Sequence, residues 1–328
     1  MYNLLTIFSR SRSILFAMIL VLTLPTVMRA EKFVLTTART AQAQFAGYYV
    51  AQEKGFYRQA GLDVVIQHPS LLSSAFHQLQ SDESNAAMFS MMSALDYIAQ
   101  GIPLVNIFQD SMNSSHLLIS RWNTSPLKMN GKKVAIFNSD PNYLAFIMSK
   151  KEGIDYEWVK FTSNINLFLS GAVDATMAAS YNEYLQLLQS GFHLKEDMIY
   201  RFSEHGYNIQ ENGVYVKRDY FRTHREACRQ FAEASRKGWE WAANHIDETV
   251  EIVMKYVYAA HIPTNRVMQK LMLKEVLNLQ LDKESHRREF RIRPDMVERA
   301  NRLMLECGML RRKVTYKELM GHGEEESH

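Results

Sequence analysis

The stretch from Phe33 to Ile66 constrains the fold most tightly. Phe33-Val34-Leu35 reads as a short apolar strand, and Phe45, Tyr48, Tyr49 and Val50 then return at helical spacing through Lys54. Gly55 stands where a helix-ending glycine belongs, Gly61 repeats the device, and Val64-Val65-Ile66 reads as a second strand. A strand, a helix and a strand in such short order predict a β-α-β unit and a mostly parallel sheet. Ala46 and Gly47 lack bulk, so the start of this helix can lie close to another backbone or to a ligand. Its first turn also carries unpaired N–H groups, a ready place for a polar ligand atom.

The alternation continues. A helix over 71–80, a strand over 86–89, a helix over 94–100 and a strand over 104–108 complete a first unit. The pattern then restarts with strands over 133–137, 157–161 and 173–178, separated by helices over 142–151 and 165–170 and followed by one over 181–189. Short strands at 200–202 and 214–216 lead back to the first half, and beyond Arg222 four amphipathic helices follow, with Gly308 closing the last. This organisation predicts lobe 1 over 31–120, completed by part of 214–320, and lobe 2 over 121–213. The C-terminal helices over 214–320 then pack on the lobes, ahead of a polar tail at 321–328.

Composition excludes several functions. The 328 residues are 47% hydrophobic and carry a net charge of +3, ordinary globular values. Basic residues cluster only locally, as in Arg287-Arg288 and Arg311-Arg312-Lys313, without the interleaved aromatics of a nucleic-acid groove. No partner of that kind is expected. Cys228 and Cys307 both fall in helical segments and read as free thiols, with a disulfide the open alternative. No Cys/His spacing suggests a metal, and no motif calls for a cofactor. At the N-terminus Arg10 and Arg12 precede an uncharged apolar run from Ser13 to Met28, followed by Arg29-Ala30. That is the layout of a signal peptide over 1–30, or of an uncleaved anchor, and either places the remainder outside the cytoplasm, in the periplasm.

The string Ala46-Gly47-Tyr48-Tyr49-Val50-Ala51, then Glu53-Lys54-Gly55-Phe56-Tyr57, then Ala60-Gly61-Leu62-Asp63-Val64 resembles the opening of a known family. It is that of the periplasmic solute-binding proteins grouped with sulfonate, nitrate and taurine binders and thiamine-pyrimidine synthase-like proteins. Ala99–Leu104 is similar to the family's "A-x-G-x-P-V" turn, Leu127–Val134 to its entry into the second lobe, and Ser170–Ala175 to its "G-x-V-D-A" strand. Tyr181-Asn182-Glu183-Tyr184 is similar to the "Y-N-E-Y" of the pyrimidine-binding branch. The resemblance implies an α/β, two-lobed periplasmic binding protein fold of type II. In it a small molecule is enclosed between lobes that close on it, and the monomer then docks on the permease of an ABC importer.

Such a cleft is lined from strand C-termini and helix N-termini. Here those positions are Gln44, Phe45 and Tyr48; Ser90, Met91, Met92 and Ser93; Phe137, Asn138 and Ser139; and Ser180, Tyr181, Asn182 and Glu183. A carboxylate such as Glu183 disfavours an anion and suits an amidine-like edge, with Tyr48 or Tyr181 stacking on the ring. By resemblance, an aminopyrimidine thiamine precursor fits. The plain alternative is that Glu183 stabilises the first turn of its own helix. Thr36–Thr40 departs from the Asn-Trp-x-Pro that pyrimidine binders of the family commonly carry there.

The enzyme alternative is a pyrimidine synthase that uses pyridoxal phosphate, whose chemistry needs a lysine and a nearby histidine. Phe89 and Ser93 occupy the matching places, and 207–214 has no cysteine for an iron stretch. No enzyme is expected. His68, His77, His116, His193 and His205 stand alone in the sequence. A receptor module that reports to a separate membrane sensor is the third reading.

Overall fold

The computed structural model describes residues 30–70, 72–138, 142–161 and 165–322. The signal segment, Leu71, Ser139 and most of the polar tail lie outside the described residues. The strands are β1 (Glu31–Thr36), β2 (Leu62–Gln67), β3 (Ala86–Ser90), β4 (Leu104–Gln109), β5 (His116–Ser120), β6 (Lys133–Phe137), β7 (Glu157–Phe161), β8 (Ala175–Ala179), β9 (Ile199–Arg201) and β10 (Asn212–Lys217). The helices of the lobes are α1 (Ala46–Glu53), α2 (Phe56–Gln59), α3 (Ala75–Gln80), α4 (Met91–Ala99), α5 (Tyr143–Glu152), α6 (Asn166–Leu169) and α7 (Glu183–Gln189). The C-terminal helices are α8 (Arg218–Thr223), α9 (Arg225–Asn244), α10 (Ile246–Ala259), α11 (Arg266–Leu279), α12 (Pro294–Glu306) and α13 (Tyr316–Leu319).

Two five-stranded sheets result, ordered β2-β1-β3-β10-β4 and β7-β6-β8-β5-β9. In the first, β1 runs parallel to β2 and β3, and β10 runs against β3 and β4. In the second, β6 runs parallel to β7 and β8, and β5 runs against β8 and β9. Each reversed strand is the first one after the chain changes lobes. It enters its sheet from the edge where the other strands end, so it can only run against them. The sequence pattern carries lobe 1 to residue 120, whereas His116–Ser120 pairs in the second sheet. The first crossing therefore falls at 110–115, where polar Ser111-Met112-Asn113-Ser114-Ser115 interrupts the strands. The second falls between β9 and β10.

One apolar core fills lobe 1 between its sheet and α1, α9, α10 and α11, centred on Phe33, Tyr48, Tyr57, Phe231 and Trp239. The other runs through lobe 2 and continues under α4 and α12. Helix α12 packs on α4 of lobe 1 and α5 of lobe 2. Just beyond it, the Arg312 guanidinium donates to Ile98 O at 2.9 Å on the lobe 1 side, and Lys150 Nζ from lobe 2 donates to Cys307 O at 3.0 Å. Cys228 and Cys307 are free and buried.

The small residues at the head of α1 serve helix packing. A Cβ on Gly238 of α9 would lie 2.1 Å from Gly47 O, and one on Gly47 would lie 2.2 Å from the Trp239 ring. Of the two uses that the sequence allowed for Gly47, the close backbone is the one realised. No helix among the described residues is long and apolar enough to cross a membrane.

Candidate functional site

The strand ends of the two lobes meet directly. The Arg39 guanidinium, in the loop after β1, lies 4.7 Å above the Phe137 ring at the end of β6. Tyr143 at the head of α5 donates to Asp96 Oδ2 of α4 at 2.6 Å. Tyr181, in the turn after β8, buries its ring within the apolar core of lobe 1, 6% exposed. The lobes are thus closed on each other. One cavity, of about 20 Å³, lies between Ser90 and Met92 of lobe 1, His116, Asn142, Tyr143 and Met177 of lobe 2, and Gln210 and Glu211 of the second crossing. It holds about one water molecule.

Glu211 ties the crossings together. Its carboxylate accepts from Ser114 Oγ at 2.6 Å, Ser115 N at 2.8 Å and Ser115 Oγ at 2.7 Å, and pairs with His116 Nδ1. Its carbonyl accepts from Met91 N at 2.8 Å, which fastens the head of α4 to the same point. Burial alone pushes this carboxyl up, but the imidazole and the serine hydroxyls outweigh it and hold Glu211 below its ordinary range. Asn208 adds two bonds between the crossings, accepting from Ser114 N at 2.9 Å and donating to Asn113 Oδ1 at 3.0 Å.

Asp110 opens the first crossing and is 7% exposed. Its Oδ2 accepts from the Tyr48 hydroxyl at 3.1 Å. Burial pushes the Asp110 carboxyl up to about 7, against the opposing hydrogen bond from Tyr48. Burial also raises the Tyr181 hydroxyl, with the Arg39 charge opposing and the Glu211, Glu183 and Asp110 charges adding to the rise.

The residues expected from sequence divide into several groups. Ser90 lines the cavity, and its hydroxyl caps α4 through Ser93 N at 3.2 Å. Ser93 is buried behind it, hydroxyl to hydroxyl at 2.8 Å, and the Met91 side chain is fully enclosed. Gln44 and Phe45 are buried at the head of α1; Gln44 Oε1 accepts from Gln42 Nε2 at 2.8 Å, while its own Nε2 has no partner. Tyr48 does not offer its ring to the cleft: Phe108, Phe231 and Trp239 surround it at 5.9 to 6.2 Å, and only its hydroxyl reaches outward, to Asp110. Asn138 is exposed, with its N–H on Phe161 O at 2.9 Å, and it does not line the cavity.

Glu183 bonds within the turn that leads into its helix. Its Oε2 accepts from Ala179 N at 2.9 Å and its Oε1 from Asn182 Nδ2 at 3.0 Å. Asn182 in turn accepts from Gln186 Nε2 at 2.8 Å. Of this motif Tyr181 is the residue whose ring enters the apolar core of the other lobe.

Sequence reasoning missed Asp110, His116, Asn142, Tyr143, Gln210 and Glu211 as parts of the site. His116 stands alone in the sequence and gains its role only from Glu211, 95 residues away. Asn142 carried a usable signal, an amide residue directly before a helix; its side chain accepts from Phe137 N at 3.0 Å and donates to Phe137 O at 2.8 Å. Among the described residues no group of three or more His, Cys, Asp or Glu could hold a metal ion.

The family model described as "NMT1/THI5 like" matches residues 42–249, more than half of the chain. The protein belongs to the NMT1/THI5-like family. Its match to YtlA of Bacillus subtilis (strain 168), named as a binding protein, is 22% identical over 224 residues, covering 64% of this chain and 66% of YtlA. The crystal structure of the periplasmic aliphatic sulphonate binding protein SsuA from Escherichia coli superposes with a TM-score of 0.60 at 14% identity, over 88% of this chain and 91% of SsuA. The desulfurization enzyme DSZB superposes with a TM-score of 0.55 at 13% identity, over 88% of this chain and 96% of that one. Those structural likenesses establish the periplasmic-binding-protein fold, which carries both binding proteins and an enzyme.

Proposed function

We propose that this NMT1/THI5-like protein is an extracytoplasmic solute-binding protein that encloses a small nitrogen heterocycle between its lobes and delivers it to the permease of an ABC importer. The observation that carries this reading is the closing of the two lobes on each other, with Tyr181 of lobe 2 buried in the lobe 1 core and the carboxyls of Asp110 and Glu211 buried at the crossings. A double crossing joins the lobes, so they can part and close about one axis, and closure buries whatever lies between them. The buried carboxyls at the two crossings, Asp110 and Glu211, favour a cationic or amidine-like solute and repel a sulfonate or nitrate in a desolvated cleft. An aminopyrimidine of the thiamine-precursor type has this chemistry, and Tyr181 is the aromatic face available to it.

The test is isothermal calorimetry of the purified protein with an aminopyrimidine, an alkanesulfonate and nitrate. The aminopyrimidine is expected to bind in the micromolar range or tighter, and neither anion to produce heat. Binding of only the anions overturns the ligand class. The fold's kinship with a desulfurization enzyme makes catalysis the second reading. Mass spectrometry of the recovered probe distinguishes the two: an altered probe replaces binding with turnover.

A further inference from the structure

A second cavity lies between the lobes, on the other side of the first crossing. Successive residues of a strand face opposite ways. His116 lines the cavity of about 20 Å³, whereas Ser115 and Leu117, on either side of it, line one of about 450 Å³. That volume falls among small-molecule pockets, about 300–1,000 Å³. Lobe 2 supplies one wall, from Ser180 and Tyr184 around the head of α7 and from Arg201, Ser203 and Glu204 at and after β9. The end of α11 and the loop after it supply the facing wall, from Glu275 to His286.

That loop is held in one shape. Leu281 bridges to Arg288, Asp282 N donates to Arg287 O at 2.9 Å, and His286 N donates to Asp282 O at 2.9 Å. The Asp282 carboxylate accepts from Ser285 N at 2.8 Å and from Arg293 Nη1 at 2.7 Å. Asn113 Nδ2 donates to Leu281 O at 2.7 Å, which fastens the loop to the first crossing. Between these bonds His286 is kept at φ 53°, in the left-handed region that side chains disfavour. Backbone held in this way is concentrated at active sites and ligand clamps.

The lining narrows the chemistry of the ligand. Each wall carries both signs of charge: Arg201 and Glu204 on lobe 2, and Lys283 with Glu275 and Asp282 opposite. A ligand of one net charge therefore meets a like charge on either wall. Polar groups remain to bond a neutral one. Among the described residues the side chains of Tyr184, Ser203, Asn278 and Lys283 have no hydrogen-bond or ion-pair partner, and Glu275 accepts from Ser180 Oγ alone. Leu117, Leu185, Leu279 and Leu281 give the same cavity apolar surface. A saccharide matches this mixture, because its hydroxyls both donate and accept and its C–H faces are apolar.

We propose that this cavity is a second binding site, for a neutral polyhydroxylated ligand of mono- or disaccharide size, whose occupancy holds the lobes closed. A ligand that touches both walls gains its full set of contacts in this closed arrangement and so stabilises it. By linkage, a solute that closes the lobes strengthens saccharide binding in turn. The site is separate from the small cavity and does not depend on which solute the cleft takes.

Calorimetry of the purified protein with glucose, maltose and sucrose, alongside glycine betaine and succinate, tests the assignment. At least one saccharide is expected to bind saturably, and neither the zwitterion nor the anion to bind. Asn278→Ala and Lys283→Ala, both at exposed positions, each weaken saccharide binding by about five- to tenfold. Ser203→Trp fills the cavity from the lobe 2 wall and abolishes binding, while Ser203→Ala stays within about tenfold and guards against a folding artefact. Small-angle scattering is expected to report a smaller radius of gyration with saccharide than without. If no saccharide binds saturably, if all four variants bind it like the wild type, or if betaine or succinate binds in its place, the site assignment is overturned. Saccharide binding with an unchanged radius overturns the link to closure.

Discussion

Asp110→Asn gives the sharpest test of the electrostatics at the lobe junction even without a ligand. In the folded protein burial pushes this carboxyl from 3.8 up to about 7. Between those values the folded state keeps its proton while the unfolded chain has released it. Stability then falls as pH rises, because the native state binds more protons than the unfolded one. At 1.36 kcal/mol for each step of pH, the gap amounts to about 4 kcal/mol lost between pH 4 and pH 7. The amide keeps the shape and the bond from Tyr48 but cannot ionise. Asp110→Asn should therefore match the wild type near pH 4 and exceed it by up to about 4 kcal/mol at pH 8. For a chain of this length that corresponds to roughly 6 °C in melting temperature. Thermal unfolding of both proteins at half-unit intervals from pH 4 to 8 measures the difference. Glu211, whose carboxyl is depressed, contributes stability that is lost as pH falls, in the opposite direction to Asp110, and it is present in both proteins. A difference that is constant across this range, or that grows toward acid, would refute the reasoning.

Two further outcomes follow from geometry. Gly238→Ala places a methyl 2.1 Å from the Gly47 carbonyl, so α1 and α9 must separate; a loss of about 2 kcal/mol or more is expected in thermal or urea unfolding. Ser180→Ala removes the 2.7 Å bond from Ser180 Oγ to Glu275, which joins the turn before Tyr181 to α11. A bond of this kind contributes about 1 kcal/mol, so solute affinity should drop about fivefold, and small-angle scattering should report a larger radius of gyration for the unliganded variant. An unchanged radius and affinity would remove that bond from any account of closure.

Much of the architecture was legible because it is written locally. Gly55, Gly61 and Gly308 punctuate helices wherever they stand, and all three adopt positive φ. Lys133–Phe137 and Glu157–Phe161 are apolar enough to be strands in any context, and they form β6 and β7 over the same residues. The first crossing was placed too late because His116–Ser120 is equally strand-like in either lobe. Only hydrogen-bond partners decide its sheet.

The site was less legible for the same reason. Tyr181 projects onto the other lobe, but Tyr48 and Glu183, equally prominent in sequence, serve the core and a turn. His116 and Glu211 had no pattern to announce them, being 95 positions apart in the chain. The sequence by itself determined the strand and helix content and the membership in a fold family, because spacing and glycine placement act over a few residues. The tertiary structure decided which polar groups converge, as Ser114, Ser115 and His116 do on Glu211. Burial and hydrogen-bond satisfaction belong to contacts between segments far apart in the chain, and no local pattern specifies them.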